Sequence, residues 1–194
     1  MNKLATLLVA AAMFAVAGCS SLPKADSDWN QDFDFSKVHT YNFIDRSKLR
    51  DMTPLTDDIT RNRIENAVDK SMKLKQFTLE ADKAKADLLV SYHVTTKDKQ
   101  DIRTYNVGVN SCWNCWGRGP GMGMGYGTDV RVNEYTEGTL IIDMIDTKSN
   151  ESVWRGTLSA KISNLKTQQE RIDAINYAVT TILAQFPPGT QPEK

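Results

Sequence analysis

Thr167-x-x-Glu170 stands directly before Ile172, Ile175, Val179, Ile182 and Phe186, apolar residues spaced three and four apart. A hydroxyl three residues ahead of a carboxylate is a capping box, in which each side chain satisfies a backbone N–H of the other residue. The segment buries its apolar stripe only as an amphipathic helix. Pro187-Pro188-Gly189 stops it, because proline removes a donor and clashes with the preceding turn. The remainder of the chain must therefore offer this stripe an apolar surface.

Strand-like segments supply one. Tyr41 and Phe43 lie on one side of the alternating segment from Val38 to Ile44, a first strand. A second helix follows, its start prepared by Thr53-Pro54 and Thr56-Asp57-Asp58, with Ile64, Ala67, Val68, Ser71 and Met72 at helical spacing. From Ala86 to Thr96, Leu88, Val90, Tyr92 and Val94 alternate with Leu89, Ser91, His93 and Thr95, which predicts a strand with one apolar face. The charged run from Lys97 to Asp101 reads as a turn, and Ile102 to Val109 as the hairpin partner. Val130 to Tyr135, Thr139 to Ile145 and Val153 to Ile162 read as three further strands, the last two joined through Asp146 to Glu151. Short connections favour antiparallel pairing, and both helices must bury their stripes on one sheet face. The expectation is an α+β two-layer sandwich: a mostly antiparallel sheet of about six strands with two helices on one face.

At the other end, Lys3 precedes the apolar run from Leu4 to Ala17. As a helix its fourteen residues would be about 21 Å long, short of the ~30 Å hydrocarbon core of a bilayer, so the layout is that of an export signal. Val16-Ala17-Gly18-Cys19 resembles the bacterial lipobox, which implies cleavage between Gly18 and Cys19 and a diacylglyceryl group on the Cys19 thiol. Two or three acyl chains, palmitate among them, exceed what stable attachment requires. Ser20, where inner-membrane lipoproteins typically carry Asp, points to the outer membrane, with the domain in the periplasm. The expected organisation is a signal peptide at 1–18, a lipidated Cys19 and tether at 19–31, one domain at 32–188 and a tail at 189–194.

Charge narrows the partners. Without Lys3, 23 basic residues (24 less one) face 24 acidic ones over residues 19–194, a formal charge of −1. The cations are scattered, which argues against a nucleic-acid partner.

Asp32-Phe33-Asp34-Phe35-Ser36-Lys37 before Tyr41, Ala86-Asp87-Leu88-Leu89-Val90, Gly138-Thr139-Leu140-Ile141-Ile142-Asp143, Val153-Trp154-Arg155-Gly156 and Phe186-Pro187-Pro188 are similar to the bacterial lipoprotein family called domain of unknown function 4136. The resemblance spans about residues 30 to 188. It implies a periplasm-facing α+β domain on a lipid anchor and no established activity. The Cys- and Gly-rich insertion at 111–127 departs from the family pattern.

That insertion holds the unusual chemistry. Cys112 and Cys115 remain once Cys19 is lipidated, and an oxidising envelope favours a small disulfide loop. Redox exchange is the alternative, but it wants such cysteines at a helix N-terminus, and Gly-Arg-Gly-Pro-Gly follows instead. A metal site needs more ligands than two thiolates; His39 and His93 fall on polar strand positions, and Met122 and Met124 sit on a glycine chain. The glycine run lacks the spacing and lysine of a phosphate loop. Trp113, Trp116, Met122, Met124 and Tyr126 either form an adhesive patch for a partner or the bilayer, or fold over a sheet edge as a cover.

No catalytic set is read from the remainder. Asp143 and Asp146, three apart on a strand, face opposite sides and are read as solvated turn and edge carboxylates. Trp154 is read as a packed ring and Arg155 as a surface cation. The expectation is a non-enzymatic envelope lipoprotein without cofactor or metal, an accessory or structural component contacting an unidentified envelope protein. Alternatives are a thiol or metal function at Cys112 and Cys115, and a small-ligand domain with its site between sheet and helices.

Overall fold

The computed structural model describes residues 22–47, 49, 56–107 and 127–189, without the side chains of 105–107 and 127–129. Gly18, Cys19, Cys112, Trp113, Cys115, Trp116, Met122, Met124 and Tyr126 lie outside the described residues.

The chain forms an α+β fold. Six strands, β1 (Asp26–Trp29), β2 (Thr40–Phe43), β3 (Thr78–Leu79), β4 (Leu88–Val107), β5 (Gly127–Asp146) and β6 (Ser152–Lys161), form one sheet in the order β1-β6-β5-β4-β2-β3. The β1–β6, β6–β5 and β5–β4 pairings are antiparallel. β2 lies parallel to both β3 and β4, because α1 (Asp58–Leu74) carries the chain back across the sheet between them. A second helix, α2 (Gln168–Leu183), closes the fold.

Both helices begin as their sequences require. The Asp57 carboxylate accepts from Thr60 N at 2.9 Å and caps α1. At α2, Glu170 N donates to Thr167 Oγ1 at 3.1 Å and Thr167 N to Glu170 Oε2 at 2.8 Å, completing the capping box. The α1 stripe buries Ile64, Ala67, Val68, Ser71 and Met72, and adds Arg61. α2 buries Ala178, Val179, Ile182 and Leu183 beside Phe186, all in one core with Tyr41, Leu88, Val90, Tyr92, Ile142, Met144 and Trp154. Tyr41 and Tyr92 also donate to Asp69 and Glu65 of α1, each at 2.7 Å, so phenols tie the sheet to the helix layer.

The strand count matches the expectation although its composition does not. Lys97 to Asp101 is not a turn, and Ile102 is not in a separate hairpin strand. β4 runs unbroken from Leu88 to Val107, every residue paired with β5. Val130–Tyr135 and Thr139–Ile145 are likewise one strand, continuous through Gly138. The charges that suggested a turn are cross-strand partners: Lys99 bridges Glu137 at 2.6 Å, Gln100 donates to Glu134 at 3.0 Å and Thr136 to Asp98 at 2.8 Å. The tether expected to reach Gln31 ends sooner, because Asp26–Trp29 adds β1 to the sheet edge beside β6. Pro23 and Ala25 are already docked, their carbonyls accepting from Tyr177 at 2.9 Å and Gln185 at 2.8 Å.

β6 pairs with β5 only over Glu137–Ile145, and β2 with β4 only over Leu88–Val90. Beyond Lys97 and Glu137 the two long strands therefore project as a two-stranded ribbon.

Candidate functional site

The helices cover one sheet face and leave the other to side chains of opposite parity. On that helix-free face, Arg155, Asp143 and Ser91 stand in one cross-strand row, since Asp143 is the register partner of both the others. His93 is two residues along β4 from Ser91 and projects from the same side.

These residues converge. Arg155 donates through Nε to Asp143 Oδ1 at 2.6 Å and through Nη2 to Oδ2 at 3.2 Å, a two-pronged pair. Ser152 Oγ adds a donor to Oδ1 at 3.3 Å. His93 Nε2 lies 3.8 Å from Asp143 Oδ2 and 3.4 Å from Ser91 Oγ. Asp143 is only 3% exposed and Ser91 2%, whereas the Arg155 side chain is 57% exposed. The neighbouring carboxylate raises the Arg155 guanidinium above its usual range.

A serine, a histidine and an aspartate are thus brought together, which sequence reasoning did not anticipate. Their geometry is not a nucleophilic relay. A relay uses one ring nitrogen for the serine and the other for the carboxylate. Here Nε2 faces both, and Arg155 holds both Asp143 oxygens. The arrangement is an ion-pair clamp joining β5 and β6, with Ser91 and His93 of β4 beside it.

Asp143 is accordingly not a solvated edge carboxylate, because it lies mid-sheet under Arg155. Asp146 is at the turn as read, on the other face with its Oδ2 accepting from Ser149 N at 2.8 Å, but it is buried instead of solvated. Trp154 is the packed ring expected, 1% exposed against Phe186 with centroids 5.2 Å apart. His39 lies outside the cluster, exposed just before β2.

A second polar node ties β2 to β4. Asp87 Oδ2 accepts from His39 N and Thr40 N, each at 2.9 Å, and from Thr40 Oγ1 at 2.8 Å. Burial opposes its charge, yet these donors hold the carboxyl below its usual range. Among the described residues, no group of three or more His, Cys, Asp or Glu is placed to hold a metal, and no helix is long and apolar enough to cross a membrane.

The architecture defines the class: an α+β sandwich with two helices on one face of a mixed, mostly antiparallel sheet. Residues 25–188 match the profile of the family described as domain of unknown function (DUF4136), and the chain belongs to that family. No curated protein matches the chain. Among solved structures, a PDZ domain protein from Parabacteroides distasonis ATCC 8503 is similar at a TM-score of 0.52 and 13% identity, covering 87% of this chain. This chain spans only 36% of that protein, and the likeness is one of fold. A PelC dodecamer from Paraburkholderia phytofirmans aligns at a TM-score of 0.45 and 10% identity, covering 84% of this chain and 96% of that one. A DUF4136 family protein from Bacteroides thetaiotaomicron VPI-5482 aligns at 0.42 and 19%, covering 81% and 94%.

Proposed function

We propose that this chain is a lipid-anchored envelope protein at the outer membrane, with its domain in the periplasm, and that it acts by contact with another envelope protein rather than by catalysis. The observation that carries the reading is the β4–β5 ribbon. It leaves the sandwich with its outer backbone edges unpaired by any described strand, and it exposes Ile102, Val130 and Val132 at 62%, 54% and 50%. Gln100, Ile102 and Thr104 oppose Glu134, Val132 and Val130, so the three apolar residues share one face. Unpaired edges and grouped apolar side chains are what a protein partner takes up. The sequence between the ribbon's ends carries Trp113, Trp116, Met122, Met124 and Tyr126, which extend the same apolar character.

The anchor reading rests on Val16-Ala17-Gly18-Cys19. Pro23 is docked on α2, so only three residues lie between Cys19 and the domain, and the four residue steps reach at most about 14 Å when extended. An acylated Cys19 would hold the β1 edge close to the bilayer.

Mass spectrometry of the chain recovered from cell envelopes tests the anchor. The expected product begins at an acylated Cys19; a soluble product with a bare thiol overturns it. Crosslinking in intact cells tests the contact reading: a chain lacking 111–127 and carrying Ile102→Asp should lose the adducts of the wild type. Unchanged adducts overturn it.

A further inference from the structure

Between the first turns of α1 and α2 and the sheet beneath them lies an apolar cavity of about 120 Å³. It exists because small residues meet there: Gly138 on β5, Ala160 on β6, and Ala174 and Ala178 on α2. Aliphatic side chains complete the wall, Ile64 from α1 and Leu140 and Leu158 from the sheet among them. Gly138 holds its part of the wall open, since a Cβ there would press on Ile162 Cγ2 at 3.0 Å.

The wall is almost wholly apolar, and the one charged residue that borders it, Arg171, is exposed at the rim. Its Nη1 is fixed by the carbonyls of Leu165 at 3.3 Å and Lys166 at 3.1 Å. The nearby Glu170 carboxylate is taken up by the N–H groups of Lys166 and Thr167, each at 2.8 Å. Thr60 Oγ1, also in the lining, donates to Asp57 at 2.8 Å. A guanidinium oriented by backbone beside an apolar hole suits one kind of molecule, a hydrocarbon ending in a carboxylate or acyl carbonyl.

Size sets the length. A dry cavity of roughly 150 Å³ lined by aliphatic residues accepts benzene, so one slightly smaller but open at one side takes a chain of about six carbons. We propose that this cavity binds a short acyl chain, its hydrocarbon among Gly138, Ala160, Ala174 and Ala178 and its carboxyl oxygen at Arg171. The ligand that carries both features is a free short-chain acid, because the free end of an acyl chain borne by Cys19 is a methyl group with no carboxyl oxygen to offer Arg171.

The test titrates sodium hexanoate, to roughly 20 mM, into the full chain carrying Cys19→Ser, followed by amide NMR shifts of Val94, Leu140, Ala160 and Ala178. Saturable shifts are expected, with hexylamine binding at least tenfold more weakly. Ala174→Leu, which fills the hole from a partly exposed helix position, should abolish the shifts while the spectrum stays folded. Arg171→Gln should weaken hexanoate at least fivefold and leave hexanol unchanged. Absent shifts, equal binding of hexylamine, or an Ala174→Leu chain that binds like its parent overturns the proposal.

Discussion

Arg155 grips Asp143 from the adjacent strand with two near-parallel hydrogen bonds, Nε to Oδ1 at 2.6 Å and Nη2 to Oδ2 at 3.2 Å. One partner is buried and the other more than half exposed, so the pair lies between the two familiar limits for ion pairs. Deleting one member of a fully buried pair costs about 3–5 kcal/mol, and an exposed pair is worth 1 or less. Arg155→Gln should lower stability by about 2 kcal/mol in urea unfolding, because it strips Asp143 of its two strongest donors. Adding Asp143→Asn should restore part of that loss, since no buried charge is then left. A single-variant loss below about 0.5 kcal/mol, the scale of an ordinary surface change, would show that the clamp is not holding the sheet.

The clamp was hard to read in advance for a definite reason. The turn from Asp146 to Glu151 was legible, but a simple hairpin around it sets Ile145 opposite Ser152 and then Met144 opposite Val153. The structure keeps the first pairing, then shifts to Met144 opposite Trp154, a β-bulge in which Val153 is the extra residue. That shift buries both Val153 and Trp154 and moves Asp143 into line with Arg155. Alternation cannot show a bulge, because a one-residue slip reverses the faces of everything beyond it. By contrast, the capping box at Thr167 and Glu170 and the stripe from Ile64 to Met72 rest on local spacing, and the structure has both. The ribbon failed to register because Lys97-Asp98-Lys99-Gln100-Asp101 has a turn's composition, while its stability comes from Glu134, Thr136 and Glu137 some forty residues away. The apolar cavity left no local trace either: its small residues come from β5, β6 and α2, and only the packing of those elements brings them together.

Gly156 records the same packing from the other side. A Cβ there would lie 2.5 Å from Ile182 Cγ2 and overlap Trp154 Cη2, so the glycine is what allows α2 to rest on the Trp154 ring. Both neighbours are essentially fully buried and have little room to give. Gly156→Ala should cost about 1–3 kcal/mol, the usual range for overpacking, and lower the thermal midpoint. A neutral or stabilising result would mean that α2 can slide off this contact.

Asp87 makes acid stability measurable at one residue. Its carboxyl is held below the usual 3.8 in the folded chain, with burial opposed by the His39 and Thr40 donors. A carboxyl depressed on folding adds stability that is full above its unfolded value and disappears as pH falls through the folded one. The Asp87 contribution should therefore be intact at pH 6 and decline below about pH 4. Asp87→Asn should lower stability at pH 6 and shrink the difference between pH 6 and pH 3. An unaltered pH dependence in that variant would remove Asp87 as a source of it.

The ribbon and the sandwich should be energetically separable. No residue from 96 to 138 belongs to the buried core among the described residues, whereas β4 below Thr96 and β5 above Gly138 contribute Leu88, Val90, Tyr92, Leu140, Ile142 and Met144. Val107 and Gly127 are direct cross-strand partners, so a two-residue Asn-Gly turn can close the ribbon in place of residues 108–126. Because that exchange leaves the core contacts among the described residues as they are, the urea midpoint should move by no more than about 0.5 kcal/mol in equivalent stability. The unfolding slope should also stay nearly constant, as the surface exposed on unfolding lies mainly in the sandwich. A loss of several kcal/mol would mean that the segment joining the two long strands supports the fold, and the division between a folding sandwich and a contacting arm would fail with it.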